Sequence, residues 1–126
     1  MSIERRTFLI GTTAFAAVSS AQGEKLEAMY GLIGKMRAQR GKRDALIAIL
    51  MEGIAGMPGC LSYVIANDPA DPDIIWITEV WASKAAHQAS LRLPSVRDAI
   101  SRGRPLIAAM ENIAETTPVG GTGLAR

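Results

Sequence analysis

Residues 57–91 read MPGCLSYVIANDPADPDIIWITEVWASKAAHQASL, and the order of their periodicities decides the fold. CLSYVIAND, following Pro58 and Gly59, has the composition of a strand. DPADPD is a reversal built from aspartate and proline, each suited to a tight turn. IIWITEVWA is a further strand, and so short a connection makes the two an antiparallel hairpin. Ser83 then stands as the N-cap of a helix over KAAHQASL.

Alternation along the second of these strands sends Ile75, Ile77, Glu79 and Trp81 to one face and Trp76, Thr78 and Val80 to the other. The helix begins directly after Trp81, so it folds back over the face that carries Glu79 and Trp81. On it, His87, Ser90 and Leu91 share a side at i, i+3 and i+4. The single histidine of the chain therefore converges with a strand carboxylate on one cavity. A one-residue bulge in the strand would reverse the faces and undo this convergence.

Upstream, AMYGLIGKMRA (28–38) alternates Tyr30, Leu32, Gly34 and Met36 against Gly31, Ile33 and Lys35, which is strand periodicity. After the turn QRGK, RDALIAILMEGIAG places Leu46, Ile49, Leu50, Gly53 and Ile54 at helical spacing, and Gly56, Pro58 and Gly59 end that helix. Downstream, Pro94 interrupts the second helix and SVRDAISRG restarts it, with Ser95 and Asp98 in capping-box positions. Pro105 breaks it again, and MENIAETTPV reads as the last strand. The order βαββαβ predicts a ferredoxin-like α+β fold, an antiparallel four-stranded sheet with helices on one face. The opposite face, with Ile33, Val64, Trp76 and Val80, is left bare, and a homodimer joined through that sheet face covers it.

At 126 residues and 48% hydrophobic, the chain supports one domain, placed at 28–118 with a flexible tail at 119–126. Its net charge is only +2, and no basic stripe is interleaved with aromatics, so nucleic-acid binding has no support. Cys60 is the only cysteine, which rules out an internal disulfide or a cysteine-cluster metal site and reads as a small buried hydrophobe. One histidine and one cysteine make no zinc constellation, and Asp68, Asp71 and Asp73 lack EF-hand spacing and read as turn-formers. The glycines of VGGTGL open no helix and form no phosphate loop.

The first residues, MSIERRTFLIGTTAFAAVSSAQG, have the layout of a signal peptide: Arg5 and Arg6, an apolar run from Phe8 to Val18, then small residues with a cut near Ala21. RRTFLIG resembles the twin-arginine export signal, with Glu4 where that signal usually has serine or threonine. The apolar run is shorter than the roughly 20 residues of a membrane span. We therefore expect a signal peptide over 1–21, a mature chain without a stable membrane span, and a periplasmic or extracellular location; the alternative is a retained hydrophobic N-terminal helix that anchors the protein. Removing Glu4, Arg5 and Arg6 from 12 acidic and 14 basic residues leaves 11 and 12, so charge alone captures no polymer.

A carboxylate that accepts a hydrogen bond from one imidazole nitrogen fixes the tautomer and makes the other nitrogen a better base. That is the chemistry expected of Glu79 and His87 as catalytic residues. Trp81, with Tyr63 and Met110, would line a slot for a flat aromatic molecule, and Ser90 and Leu91 complete the substrate-binding set. The residues alone leave a second reading open, in which Glu79 pairs with an arginine at the rim, His87 is a solvated helix residue, and the tryptophans are core and interface.

MYGLIGKMRAQRGKRDALIAIL, the 57–91 stretch and GRPLI together resemble the antibiotic biosynthesis monooxygenase family, the dimeric α+β barrel proteins that include quinol monooxygenases. The likeness runs from about Met29 to Pro118, and its most telling piece is the Pro-Gly-Cys turn before a hairpin ending in Glu-x-Trp. The resemblance implies a cofactor-independent monooxygenase that oxidises a quinol, or a related electron-rich phenol or anthrone, with O₂. Where many relatives carry histidines this chain has Ser90 and Ser95, so either His87 replaces that base or the chain does different chemistry. The haem-degrading members use a histidine ligand that this chain lacks. The alternatives carried forward are a non-catalytic dimeric protein that binds small aromatics, as in stress responses, and a haem-binding protein.

Overall fold

The computed structural model describes residues 27–124; the segment expected to be a signal peptide, 1–21, lies outside them. Four strands, β1 (Tyr30–Ala38), β2 (Cys60–Asn67), β3 (Ile74–Trp81) and β4 (Ile107–Thr116), form one sheet in the order β2-β3-β1-β4. Every neighbouring pair is antiparallel. Helix α1 (Arg43–Gly53) joins β1 to β2, while α2 (Lys84–Ser90) and α3 (Pro94–Gly103), followed by a 3₁₀ turn at Arg104–Leu106, join β3 to β4. The expected ferredoxin-like α+β fold is the one observed.

The face parity of β3 follows the sequence pattern. Ile75, Ile77 and Trp81 are buried, whereas Thr78 is exposed and Trp76 and Val80 are half-buried. No shift interrupts the β1–β3 register, in which Tyr30 stands opposite Trp81, Leu32 opposite Glu79, Gly34 opposite Ile77 and Met36 opposite Ile75. Met36, Ala38, Ile75 and Ile77 pack with Leu46 of α1 to make the core. Leu46 is fully buried, worth about 2–3 kcal/mol relative to an exposed leucine. The core therefore fills the end of the sheet near Ala38, and the other end, near Tyr30 and Trp81, is free to hold a cavity.

Two locks hold this end-to-end arrangement. At the β2–β3 turn, Asp68 accepts hydrogen bonds from the Ala70 and Asp71 amides and from the Trp76 indole, the last at 2.9 Å. Those donors hold the Asp68 carboxyl below the usual range, with the indole contributing most. Arg43 of α1 donates to the carbonyls of Asp68, Asp71 and Ile74, tying the helix to the turn. The three turn aspartates thus organise local backbone, Asp73 by accepting from the Gly41 amide. The second lock is Gly59, whose φ of 81° favours glycine. A Cβ there would also stand 2.6 Å from the Ala86 Cβ, so the turn before β2 lies directly against α2.

Some boundaries differ from expectation. Ser83 caps α2 as predicted, its hydroxyl accepting from the Ala86 amide at 3.1 Å. Ser95 and Asp98 form no capping box: the N-cap of α3 is Leu93 without a side-chain hydrogen bond, and Pro94 opens the helix. Proline needs no N–H at that position, so the helix starts earlier, and Asp98 pairs instead with Arg102 at 2.9 Å. Strand β4 starts at Ile107, three residues before Met110, because pairing with Ala38 of β1 extends it. On the bare sheet face Val64 is 52% exposed, while Ile33, Trp76 and Val80 are half-buried.

Gly59→Ala should destabilise the fold by about 2–4 kcal/mol, combining a strained positive φ with a steric clash. Urea unfolding of Gly59→Ala, Ala86→Gly and the double variant checks it. Ala86→Gly should recover the clash and leave the φ penalty, and simple additivity of the two single changes would refute the contact.

Candidate functional site

A cavity of about 340 Å³ lies between the sheet and the helices, at the end the core leaves free. Strand β3 supplies Glu79 and Trp81, β1 Tyr30, Leu32 and Met36, and β2 Tyr63. Helix α2 and its C-cap contribute His87, Ser90 and Leu91; α1 with its C-cap, and α3, add Leu50, Ile54, Val96 and Ile100; β4 adds Met110 and Asn112. All seven side chains expected from the sequence stand on this one cavity. Most of the wall is apolar, with a few polar groups converging on it, as small-molecule sites are built.

At its heart, the Trp81 indole N–H donates to Glu79 Oε1 at 2.8 Å. His87 Nε2 stands 3.8 Å from the same oxygen. That separation is too long for a hydrogen bond but short for an ion pair once the imidazole is protonated. The hydrogen bond expected between Glu79 and the imidazole is therefore replaced by one from Trp81. The reason is reach: Glu79 and Trp81 are two residues apart on one strand face, while His87 arrives from another element. His87 is packed on both sides, its ring centroid 5.4 Å from those of Trp81 and Tyr30, edge-on to the indole. With side chains 15% and 19% exposed, Glu79 and His87 are shielded, so a rim pairing of Glu79 with arginine does not describe them.

Ser83 and Ser90 hold α2 in place. The Ser90 hydroxyl donates to the His87 carbonyl at 2.6 Å, so its proton is committed to the backbone and only its lone pairs face a ligand. Trp81 is 1% exposed and forms the floor, whereas Leu91 and Met110, 47% and 68% exposed, stand at the mouth. Burial raises the Tyr63 phenol, with the Glu79 charge adding to it, so Tyr63 stays a neutral donor. Burial likewise pushes the Cys60 thiol up, and it donates weakly to the Ser62 carbonyl, as a protonated side chain does.

Two polar residues escaped the sequence reading. Tyr30 donates to Glu115 Oε2 at 2.6 Å and so bridges β1 and β4 beside His87. Its signal was present, since it shares an alternation with Leu32 and Met36. Asn112 also had one, standing two residues beyond Met110 on the same strand face; just past it, a shift between Ile33 and Gly34 leaves Ile113 as an extra residue. That bulge also puts Glu115, rather than Ala114, opposite Leu32 on the cavity face.

The sequence profile of the antibiotic biosynthesis monooxygenase family matches residues 29–102. The chain belongs to that family. A crystal structure of a candidate member from Chloroflexus aurantiacus J-10-fl is 70% identical, spans 78% of this chain and all of its own, and superposes with a TM-score of 0.75. A candidate family member from Caulobacter crescentus CB15 shares the fold at 18% identity, 80% and 99% coverage and a TM-score of 0.68. One from Nitrosomonas europaea does so at 15% identity, 77% and 96% coverage and a TM-score of 0.69. No protein of curated function matches the chain. The family match spans β1 to α3 and with them every expected site residue except Met110, which lies beyond it on β4.

The chain has two tyrosines, both on the cavity, so spectrophotometric titration reads both. The hydrogen bond to Glu115, aided by burial, pushes Tyr30 up to about 12, and Tyr63 is also raised. At pH 10, where an ordinary phenol is half ionised, little phenolate should appear. The folded-state value stands above the unfolded one, so this contribution to stability is full below about pH 10 and is lost as pH rises through about 12. Glu115→Ala should bring one of the two tyrosines back toward the ordinary range; an unchanged curve would refute the assignment.

Proposed function

We propose that the protein is a cofactor-independent monooxygenase that oxidises a quinol, or a related electron-rich phenol or anthrone, with O₂. The observation that carries this reading is the meeting of Glu79, Trp81 and His87 in one largely apolar cavity. The reaction balances without an external reductant. A quinol and O₂ give a hydroxyquinone and water; an anthrone methylene and O₂ give a ketone and water. All four electrons that reduce O₂ come from the substrate.

In the first step His87 takes the substrate proton, and the resulting anion passes an electron to O₂. The radical pair recombines to form a carbon–oxygen bond, and the peroxide loses water to leave a carbonyl. Family membership supports the reaction class, and the geometry supports the roles. The imidazolium formed by proton transfer faces the Glu79 carboxylate, and unit charges 4 Å apart attract by about 4 kcal/mol at an effective dielectric of 20. Trp81 keeps that carboxylate in position rather than letting it capture the substrate hydroxyl. The indole and Leu32 give flat apolar surfaces for the ring, and Tyr63 offers a neutral O–H to developing oxyanion charge.

The same reading includes a homodimer that buries Ile33, Val64, Trp76 and Val80 of the bare sheet face. Trp76 is already fastened by Asp68, and Lys35 lies over its ring at 5.4 Å, which gives that face a rigid aromatic centre with a charged rim.

Oxygen uptake and product mass, followed together on reduced quinols and anthrones, test the activity. Uptake above the blank should yield a product heavier by one oxygen for quinols after allowing for lost hydrogens. His87→Ala should lower kcat/KM by about 10²–10⁴-fold, the range for a lost general base, and Glu79→Gln by a smaller factor. Uptake equal to the blank for every substrate, with ligand still bound, would leave a non-catalytic binding protein. For the dimer, sedimentation at micromolar concentration should give twice the monomer mass, and Val64→Lys should halve it.

A further inference from the structure

Gly34 lies in the interior of β1, where glycine weakens a strand by its conformational freedom and its missing side chain. Nothing in its backbone calls for glycine, since its φ is not positive. Nor does crowding, because among the described residues an added Cβ would meet only the Glu111 carbonyl oxygen at an ordinary 3.7 Å. Gly53 of α1 is different: a Cβ there would stand 2.6 Å from that of Ala99. The bulge beside Gly34 belongs to β4, where Ile113 is the extra residue, so it makes no demand on β1.

What lies over Gly34 is space. Its neighbours across the sheet are Ile77 and Asn112, and above all three is a second cavity of about 240 Å³. This cavity shares Met36, Tyr63, Glu79, Met110 and Asn112 with the main one, so the two adjoin beside the Glu79 carboxylate. A side chain at 34 would occupy it.

We infer that the space above Gly34 is a second lobe of the ligand site, and that the absent side chain at position 34 sets the length of ligand accepted. The inference rests on the reading of the cavity as a site for aromatic molecules. Its ligand is a fused-ring compound. The reacting ring lies against Trp81 and His87, and a ring fused to it passes Glu79 into the second lobe, beside the amide of Asn112. A single-ring phenol fills only the main lobe.

The test is anaerobic calorimetric titration of the full-length protein with anthrone, whose reactive central ring carries a fused ring on each side, and with hydroquinone, a single ring. Gly34→Leu should weaken anthrone at least tenfold and hydroquinone less than twofold. Gly34→Ala, whose methyl meets only ordinary contact, should weaken anthrone alone by two- to threefold, and it carries the comparison if the leucine variant fails to fold. Equal weakening of both ligands, unchanged anthrone affinity, or no preference for anthrone in the native protein would overturn the inference. Since binding is read without O₂, size discrimination without oxygen uptake would sink the oxygenase reading and leave the second lobe standing.

Discussion

An acid on the inner face of a sheet must find a donor, because an unpartnered buried carboxylate either protonates or destabilises the fold. In this protein the donor is the indole two residues along the same strand, at 2.8 Å from Glu79. Because both groups sit on β3, their pairing depends only on strand geometry and survives whatever the helices do. The imidazole is brought to this fixed pair by α2, whose start is set by the Ser83 cap and whose seat is set by Gly59. The site is thus a rigid strand feature onto which one helix delivers an imidazole.

That constraint also divides the molecule into two ends. Where β3 carries Ile75 and Ile77, α1 closes down with Leu46 and the layer is solid. Two residues further on, the inward positions are Glu79 and Trp81, and the covering helix is the short α2 rather than a long apolar one. The helices cannot seal over a carboxylate as they do over isoleucine, so the layer opens into a cavity. The same strand therefore builds the core with its first half and the site with its second.

The edge strand β4 plays a different part. Without its bulge, Met110, Asn112 and Ala114 would face the cavity in strict alternation. The extra residue resets the alternation, so Met110 and Asn112 face inward and then Glu115, not Ala114, joins them. Glu115 thereby reaches Tyr30, whose ring lies against His87, and Lys84 at the start of α2 stands 4.0 Å from the same carboxylate. One inserted residue links the last strand to both the first strand and helix α2.

Most of the fold, and the membership of the site, could be read from periodicity: the faces of β1 and β3, the Ser83 cap, the aspartate turn, and the arrival of His87 opposite Glu79 and Trp81. These rest on local rules, a period of two or of three to four residues, which the chain obeys wherever no residue is inserted. Tertiary structure alone decided which partner Glu79 takes, which end of the sheet stays hollow, and where Glu115 points. Those outcomes depend on distances of a few tenths of an ångström between separate elements and on a bulge in an edge strand. Neither leaves a mark in the spacing of apolar and polar residues.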